Sequence, residues 1–283
     1  MASSRKHAHL THRQFRILII AIASVVVVAL IASLGWFVYW QNKKNHAIAA
    51  QNLIAAQYDF NPGFIIADDQ FFDANSMSEK QIQHFLEEKG AKCSGNNCIA
   101  TMQVDTKTQA QDNECAAYQG AKGEHISTII AKSASACGIS PKVLLTMLQK
   151  EQHLVTATEP TDFQIEAAMG LSCPDHDSCD PKYAGIFNQI FGAAKRFRYY
   201  INHIDDYDYA PNTFNDIAYS PNAQCGTSSV YIENQATALL YIYTPYQPNT
   251  AALKAGAGEG DSCSAYGNRN FSIIYTNWFG SPR

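Results

Sequence analysis

A run of apolar residues near the start of the chain sets the first limit on its fold. Residues 17–40, ILIIAIASVVVVALIASLGWFVYW, contain no charged side chain. As a helix with a rise of about 1.5 Å per residue, the run would be about 36 Å long, enough to cross a bilayer core of about 30 Å. Trp36, Tyr39 and Trp40 stand at its C-terminal end, and aromatic side chains are favoured at a membrane interface. The sequence therefore predicts a single transmembrane helix that anchors the protein.

Basic residues predict how this helix is oriented. Four of them precede the run, namely Arg5, Lys6, Arg13 and Arg16, and Lys43 and Lys44 follow it closely. Because loops rich in Lys and Arg stay in the cytoplasm, the N-terminus is predicted to be cytoplasmic and the chain after residue 41 extracellular. We divide this part into a cytoplasmic tail (1–16), the transmembrane anchor (17–40) and a helical stalk or linker (41–60).

A cleaved signal peptide is the alternative to an anchor, since Ala47-Ile48-Ala49 has the small residues of a cleavage site. The apolar run is longer than the roughly 7–15 residues of a signal peptide, and two lysines separate it from that site. The sequence favours a signal anchor in the cell membrane.

All eight cysteines follow the apolar run. An even number of cysteines in an oxidising extracellular compartment predicts four disulfides. Proximity along the chain favours the pairs Cys93–Cys98, Cys115–Cys137, Cys173–Cys179 and Cys225–Cys263. None of the spacings is the CxxC of a zinc knuckle, so we assign no metal site and no cofactor.

The charge distribution argues against one class of partner. The tail and the two juxtamembrane lysines hold six of the 21 basic residues and none of the 25 acidic residues. The chain that follows these two lysines therefore has 15 basic against 25 acidic residues, a net charge of −10. A domain this acidic would not gather phosphate groups, which excludes nucleic acid as a ligand.

The extracellular part reads as mainly helical, with long aromatic-rich loops. We predict a small N-terminal unit at 61–114, with a helix that starts at a capping box of Ser76 and Glu79, and a main domain at 115–283. In the main domain, apolar periodicity predicts helices over 124–137, 140–154, 184–203 and 233–243. The chain after Gly256 reads as a loop up to the terminal NFSIIYTNWFG, whose aromatic residues are expected to pack on the domain.

The helix SPKVLLTMLQKEQHL carries the strongest candidate for chemistry. Ser140 suits the N-cap and Pro141 the first helical position. Its apolar face comprises Val143, Leu144, Met147 and Leu148. Glu151 continues that face, seven residues after Leu144. Partial burial and the negative end of the helix dipole both disfavour a carboxylate there, which favours the proton-holding form that a general acid needs. The alternative is an ordinary surface glutamate paired with Lys150 or His153.

Cys115 to about Tyr246 resembles the lysozyme-like fold of the soluble lytic transglycosylases and goose-type lysozymes. The resemblance is carried by PKVLLTMLQKEQ, by AMGL at 168–171, by Asp180-Pro181 with Gly192-Ala193-Ala194, and by ALLY at 238–241. The chain departs from the family pattern at Gln152, at Ser172-Cys173 and at Ile242, where the family has Ser, Met-Gln and Asn. The whole chain is also similar to actinobacterial surface proteins labelled hemagglutinin-like.

The resemblance implies a peptidoglycan glycosidase that cleaves the β-1,4 bond between N-acetylmuramic acid and N-acetylglucosamine, with Glu151 as its catalytic acid. In a lytic transglycosylase one Glu protonates the leaving oxygen and then deprotonates the muramic 6-hydroxyl, so the product is a 1,6-anhydro sugar. This single-carboxylate reaction is favoured here. A hydrolysing muramidase would need an aspartate to position water, and the candidates in sequence are Asp162, Asp175, Asp177 and Asp180.

Polar and aromatic residues could line the glycan groove. The resemblance places the family tyrosine at Tyr241, and the clustering after the same helix adds Tyr243, Tyr246 and Gln247. Gln189 on the 184–203 helix is a further candidate, and core packing is the alternative for the tyrosines. Two other classes stay open: a catalytically silent module that binds the cell wall or mediates adhesion, and a scaffold for division or secretion partners.

Overall fold

The structure is a computed structural model that describes residues 11–173 and 179–283. It divides into two compact units, Met1–Ala50 and Gln51–Arg283. Asp175 and Asp177, two of the four aspartates considered above, lie outside the described residues.

The apolar run forms part of one long helix. Helix α1 spans His12–Tyr58, so the predicted stalk is helical as well. In the described part of the chain, α1 is the one helix long and apolar enough to cross a membrane, and its most apolar window is not buried against protein. A helix of this length and composition near the N-terminus is consistent with a single-pass anchor or a signal sequence.

The second unit is mainly α-helical. Its described helices are α2 (Asp68–Phe71), α3 (Glu79–Lys89), α4 (Ile126–Cys137), α5 (Pro141–Gln152), α6 (Asp162–Glu166), α7 (Ile186–Asn202), α8 (Gln235–Tyr243), α9 (Thr250–Lys254) and α10 (Gly267–Phe279). Two short antiparallel sheets accompany them, β1 (Gln103–Val104) with β2 (Glu124–His125), and β3 (Thr213–Ala218) with β4 (Thr227–Ile232).

Helix α5 lies at the centre of the core, as its apolar face predicts. The four residues of that face, Val143, Leu144, Met147 and Leu148, have no exposed surface. Pro141 occupies the first turn and His153 ends the helix in the left-handed conformation at φ 56°. The side chain of Ser140 makes no capping hydrogen bond, because its Oγ lies 2.8 Å from Oγ of Ser76. Helix α5 packs against α4 and α10.

The end of the chain forms a helix, for which the sequence analysis predicted packing on the domain but no secondary structure. Helix α10 packs on α5, with Phe271 and Tyr275 fully buried, so the expectation that these aromatic residues pack on the domain is confirmed. Asn, Ser and Thr between the aromatic positions have weak helix propensity, and packing of the apolar face supplies the stability that propensity does not.

The β3–β4 hairpin was also missed. Its pairing runs from Thr213 opposite Ile232 to Ala218 opposite Thr227. Gln51 stabilises strand β4, since its side-chain amide accepts from the Tyr231 N–H and donates to the Tyr231 carbonyl. This contact joins residues 180 positions apart in the sequence, which no local pattern can reveal.

The capping box of α3 lies two residues later than predicted. Ser78 and Gln81 form it, because each side chain bonds the backbone N–H of the other residue. Both spacings fit the S-x-x-E/Q pattern, but Ser76 bonds Ser140 instead.

Residues 61–114 share one core with the rest of the second unit. Ile65, Ile66 and Phe71 belong to the same buried cluster as α5, and the Phe71 ring meets the Phe197 ring edge-on at 5.1 Å. The predicted boundary at residue 114 is therefore not a boundary between compact units in the structure.

The disulfide prediction is confirmed in full. The four bonds join Cys93–Cys98, Cys115–Cys137, Cys173–Cys179 and Cys225–Cys263.

An ion pair with a buried carboxylate lies at the start of α4. Glu124 is 7% exposed and pairs with Lys132, while Thr106 and Tyr118 donate hydroxyl hydrogen bonds to the same carboxylate. Burial alone raises the pKa of Glu124, but Lys132, Thr106 and Tyr118 together hold that pKa below its ordinary value.

Replacing Glu124 by glutamine should reduce the free energy of unfolding by about 2 kcal/mol at pH 7, because the Lys132 ammonium and the Thr106 and Tyr118 hydroxyls lose their hydrogen bonds to a charged carboxylate. The lowered pKa gives the sign of the pH dependence. The stabilisation is present above the unfolded-state pKa of about 4.3 and is lost as the pH falls through the lower folded-state pKa. Calorimetric melting of both proteins between pH 7 and pH 3 should show the difference shrink. Glu87→Gln, at an exposed position on α3, is the control, and equal melting of the two variants would contradict the prediction.

Candidate active site

Glu151 lies in the last turn of α5 in a partly buried position. Its side chain is 22% exposed, and Oε1 lies 2.5 Å from Nζ of Lys150, which is itself only 4% exposed. The Lys150 ammonium also donates to Oγ1 of Thr244 at 3.0 Å and lies over the Tyr243 ring, 5.7 Å from its centroid. The ion pair considered as an alternative from sequence is therefore present with Lys150, but it is buried on the lysine side rather than free in solvent.

The turn at 168–171 closes one side of the Glu151 carboxylate. Gly170 has φ +65°, and a Cβ at this position would lie 3.1 Å from Oε2 of Glu151. The backbone conformation and the close approach both favour glycine here. The AMGL motif therefore meets the glutamate that the sequence singled out.

Gln189 of α7 holds this turn in place. Its side-chain oxygen accepts from the N–H groups of Met169 and Leu171, at 3.0 and 3.1 Å. Its amide nitrogen donates to the carbonyls of Leu171 and Tyr183, at 3.0 and 2.8 Å. The side chain is 1% exposed, so Gln189 positions the turn and has no exposed group for a ligand.

Tyr243 lies next to the Glu151–Lys150 pair. Its hydroxyl donates to the Met169 carbonyl at 2.5 Å, and its ring stacks on Phe197 at 5.1 Å. Burial and then the negative charge of Glu151 raise the pKa of Tyr243 well above its ordinary value, so the phenol stays a hydrogen-bond donor.

The other residues predicted to line a groove are placed differently. Tyr241 is fully buried and donates to the Pro62 carbonyl at 2.9 Å, as the core-packing alternative describes. Gln247 is 4% exposed and donates to the Ile217 carbonyl at 2.7 Å and to Oγ of Ser228 at 2.8 Å. Both side chains therefore donate their hydrogen bonds to groups of the protein itself.

Tyr246 lies farther along the chain and pairs its backbone with Ala218 of β3. Its side chain is partly exposed. Of the predicted groove residues, the structure thus brings Gln189 and Tyr243 to Glu151 or to the turn beside it, and it uses Tyr241 and Gln247 in the core.

A cavity of about 450 Å³ lies along one face of α7. It is lined by Tyr183, Gly192, Lys195, Arg196, Tyr199 and Tyr207. The sequence analysis assigned none of these six residues to a binding site. The signal was the spacing, because positions 192, 195, 196 and 199 fall on one side of a helix. The charges of both Arg196 and Glu151 act on the Tyr243 phenol.

The two described aspartates that were candidates to position water have other partners. Asp162 is exposed and accepts from the Asn97 amide at 2.8 Å. Asp180 is exposed and accepts from the Lys182 N–H at 2.9 Å, which caps a short 3₁₀ turn. In the described ranges, no group of three His, Cys, Asp or Glu side chains could hold a metal ion.

Comparison with known proteins identifies the family. The model of the family described as "LasA, N-terminal domain" matches residues 64–283. The chain belongs to this family. The match crosses residue 114 without interruption, in agreement with the single compact unit of the structure. No curated protein matches the chain. No solved structure matches it either.

Proposed function

We propose that this protein is a membrane-anchored peptidoglycan glycosidase with a lysozyme-like fold and with Glu151 as its catalytic acid. The observation that carries the proposal is the meeting of three motifs distant in sequence. Glu151 lies in the last turn of α5, Gly170 lies against its carboxylate, and Gln189 of α7 holds the Gly170 turn. These are the segments by which the sequence resembles lytic transglycosylases.

The proposed reaction moves one proton from Glu151 and then back to it. The protonated Glu151 first gives its proton to the oxygen that bridges the two sugars. Once the proton has passed to the bridging oxygen, the Lys150 ammonium stabilises the carboxylate that is left. That carboxylate then takes the proton of the muramic 6-hydroxyl, whose oxygen closes the anhydro ring.

Of the four candidate aspartates, the two that the structure describes have partners other than Glu151, which supports a proposal of transglycosylation rather than hydrolysis. A hydrolase of this type needs a second carboxylate to position water. Asp162 and Asp180 are exposed and bonded to Asn97 and to the Lys182 backbone. A lytic transglycosylase needs only the one glutamate, because the substrate's own N-acetyl group stabilises the positive centre.

The N-terminal helix and the family fit an enzyme of the cell wall. We propose that α1 anchors the chain in the cell membrane with its N-terminus in the cytoplasm, which places Glu151 on the outer side with the wall. LasA itself is a staphylolytic protease. The matched family is named for the N-terminal domain of that protein, and the name assigns no activity to the domain.

Product masses test the proposal. Purified peptidoglycan is incubated with the full chain in detergent, and the soluble products are analysed by mass spectrometry. Transglycosylation should give anhydro-muropeptides, each lighter by one water than the reducing product of hydrolysis. Reducing ends alone would replace the transglycosylase with a muramidase, and an absence of soluble products would reject the glycosidase.

A wall-binding module without catalysis is the second candidate. It is favoured by the ion pair that engages the Glu151 carboxylate, together with the departures from the family pattern at Gln152 and Ile242. Co-sedimentation of the full chain with insoluble peptidoglycan, without release of soluble fragments, would support this candidate over the enzyme.

A further inference from the structure

The cavity along α7 is distinct from the Glu151–Lys150 pair. Its volume of about 450 Å³ lies within the range of small-molecule sites. Three tyrosines, two basic residues and a glycine line it. Gly192 lets α7 pack closely on its neighbours at this wall, because a Cβ there would lie 2.6 Å from Cδ2 of Leu171 and 3.7 Å from the Tyr183 ring.

The two basic residues of the cavity differ in what neutralises them. Lys195 pairs with Asp112 and, at 3.8 Å, with Glu114. Arg196 instead lies beside tyrosines, since its guanidinium is 5.8 Å from the centroid of the Tyr183 ring and its charge acts on the Tyr200 phenol. Within the described ranges, no Asp or Glu forms an ion pair with Arg196. The cavity therefore holds a partly buried cation that the described fold does not neutralise.

The aromatic residues of the cavity suit a sugar. Tyr199 is 39% exposed, and its ring stacks on His203 with centroids 3.9 Å apart. Tyr207 meets the Tyr200 ring edge-on at 4.9 Å. Rings braced in this way lose little freedom when a ligand packs on them. A planar guanidinium beside such rings also has the fork geometry that binds a carboxylate through two parallel hydrogen bonds.

We propose that this cavity binds a sugar that carries a carboxylate. The Arg196 guanidinium binds the carboxylate, and the Tyr199 ring packs on the sugar ring. The identity of the sugar rests on the function proposed above. In peptidoglycan the muramic residue carries a lactyl group, whose carboxyl is an amide where a peptide is attached and a free acid where it is not. The preferred substrate is therefore glycan from which the peptides have been removed.

Two sugars that differ only in the lactyl group test the assignment. The full chain, in a detergent without a sugar headgroup, is titrated with N-acetylmuramic acid and with N-acetylglucosamine, and binding is followed by ligand-observed NMR. N-acetylmuramic acid should bind at least about tenfold more tightly, since a charged hydrogen-bonded pair is worth that much. Equal binding of the two sugars would overturn the proposal.

Three variants locate the contact. Arg196→Gln should remove the preference for N-acetylmuramic acid, whereas Arg198→Gln, on the same helix but outside the cavity lining, should keep it. Tyr199→Ala, at an exposed position, should weaken the binding of both sugars by the same factor. A preference that survives in Arg196→Gln would overturn the assignment, as would unchanged binding in Tyr199→Ala.

These binding measurements need no cleavage, so they separate the two proposals. If N-acetylmuramic acid binds in an Arg196-dependent way but the chain releases no wall fragments, the binding site is supported and the glycosidase is rejected. If the chain cleaves peptidoglycan but shows no such binding preference, the glycosidase is supported and the binding site is rejected.

Discussion

Glu151→Gln should slow the release of soluble fragments from peptidoglycan, with kcat reduced by about 10²–10⁴-fold, the usual contribution of a general acid. Glutamine has nearly the same shape and still fits between Lys150 and Gly170, but it cannot give a proton to the bridging oxygen. Fragment release from purified peptidoglycan, followed by mass spectrometry over time, measures the effect.

Glu166→Gln is the matched control, because Glu166 is an exposed carboxylate on α6. It should retain the parent rate, and calorimetry should show that both variants melt as the parent does. Parent-like fragment release by Glu151→Gln would reject the catalytic role. If neither the parent nor the variant releases fragments and both sediment with the wall equally well, the wall-binding candidate is supported instead.

Local sequence patterns predicted the centre of this fold well. The 3.6-residue period of α5 identified the buried face, and pairing each cysteine with its neighbour in the order of the chain was sufficient for all four disulfides. Both signals act over a few residues or within one closed loop. The same is true of Glu151, since its place after that face follows from helix geometry alone.

Contacts between distant segments account for what the sequence did not predict. Helix α10 is stabilised by packing on α5, and the β3–β4 hairpin by Gln51. The burial of Lys150 depends on Thr244, which lies 94 residues farther along the chain. The α7 cavity likewise needs Tyr183 and Tyr207, which lie outside the helix that forms most of its wall.

Gln189 shows how such a distant contact changes the role of a residue. The sequence suggested that it lines a groove, whereas the structure uses all of its hydrogen-bonding groups to bind the backbone of Met169, Leu171 and Tyr183. Gln189→Leu should therefore leave two buried N–H donors and two carbonyl acceptors without this partner. At about 1–3 kcal/mol for each unsatisfied buried group, we expect a loss of at least about 3 kcal/mol in the free energy of unfolding.

That loss corresponds to a fall of at least about 6 °C in Tm for a unit of this size. Calorimetry of the full chain in detergent measures it. Asn188→Ala is the control, since the neighbouring Asn188 amide makes one local bond to the Ala184 carbonyl at 2.8 Å and should cost less than about 1.5 kcal/mol. Similar Tm values for the two variants would show that Gln189 does not hold the turn.

The same variant connects the turn to the chemistry. Below its lowered Tm, Gln189→Leu should release peptidoglycan fragments more slowly than the parent, because Gly170 is no longer held against the Glu151 carboxylate and misplacement of about 1 Å can cost about 10²-fold in rate. Asn188→Ala should retain the parent rate. If Gln189→Leu is destabilised but cleaves at the parent rate while folded, the 168–171 turn contributes to stability and not to the placement of Glu151.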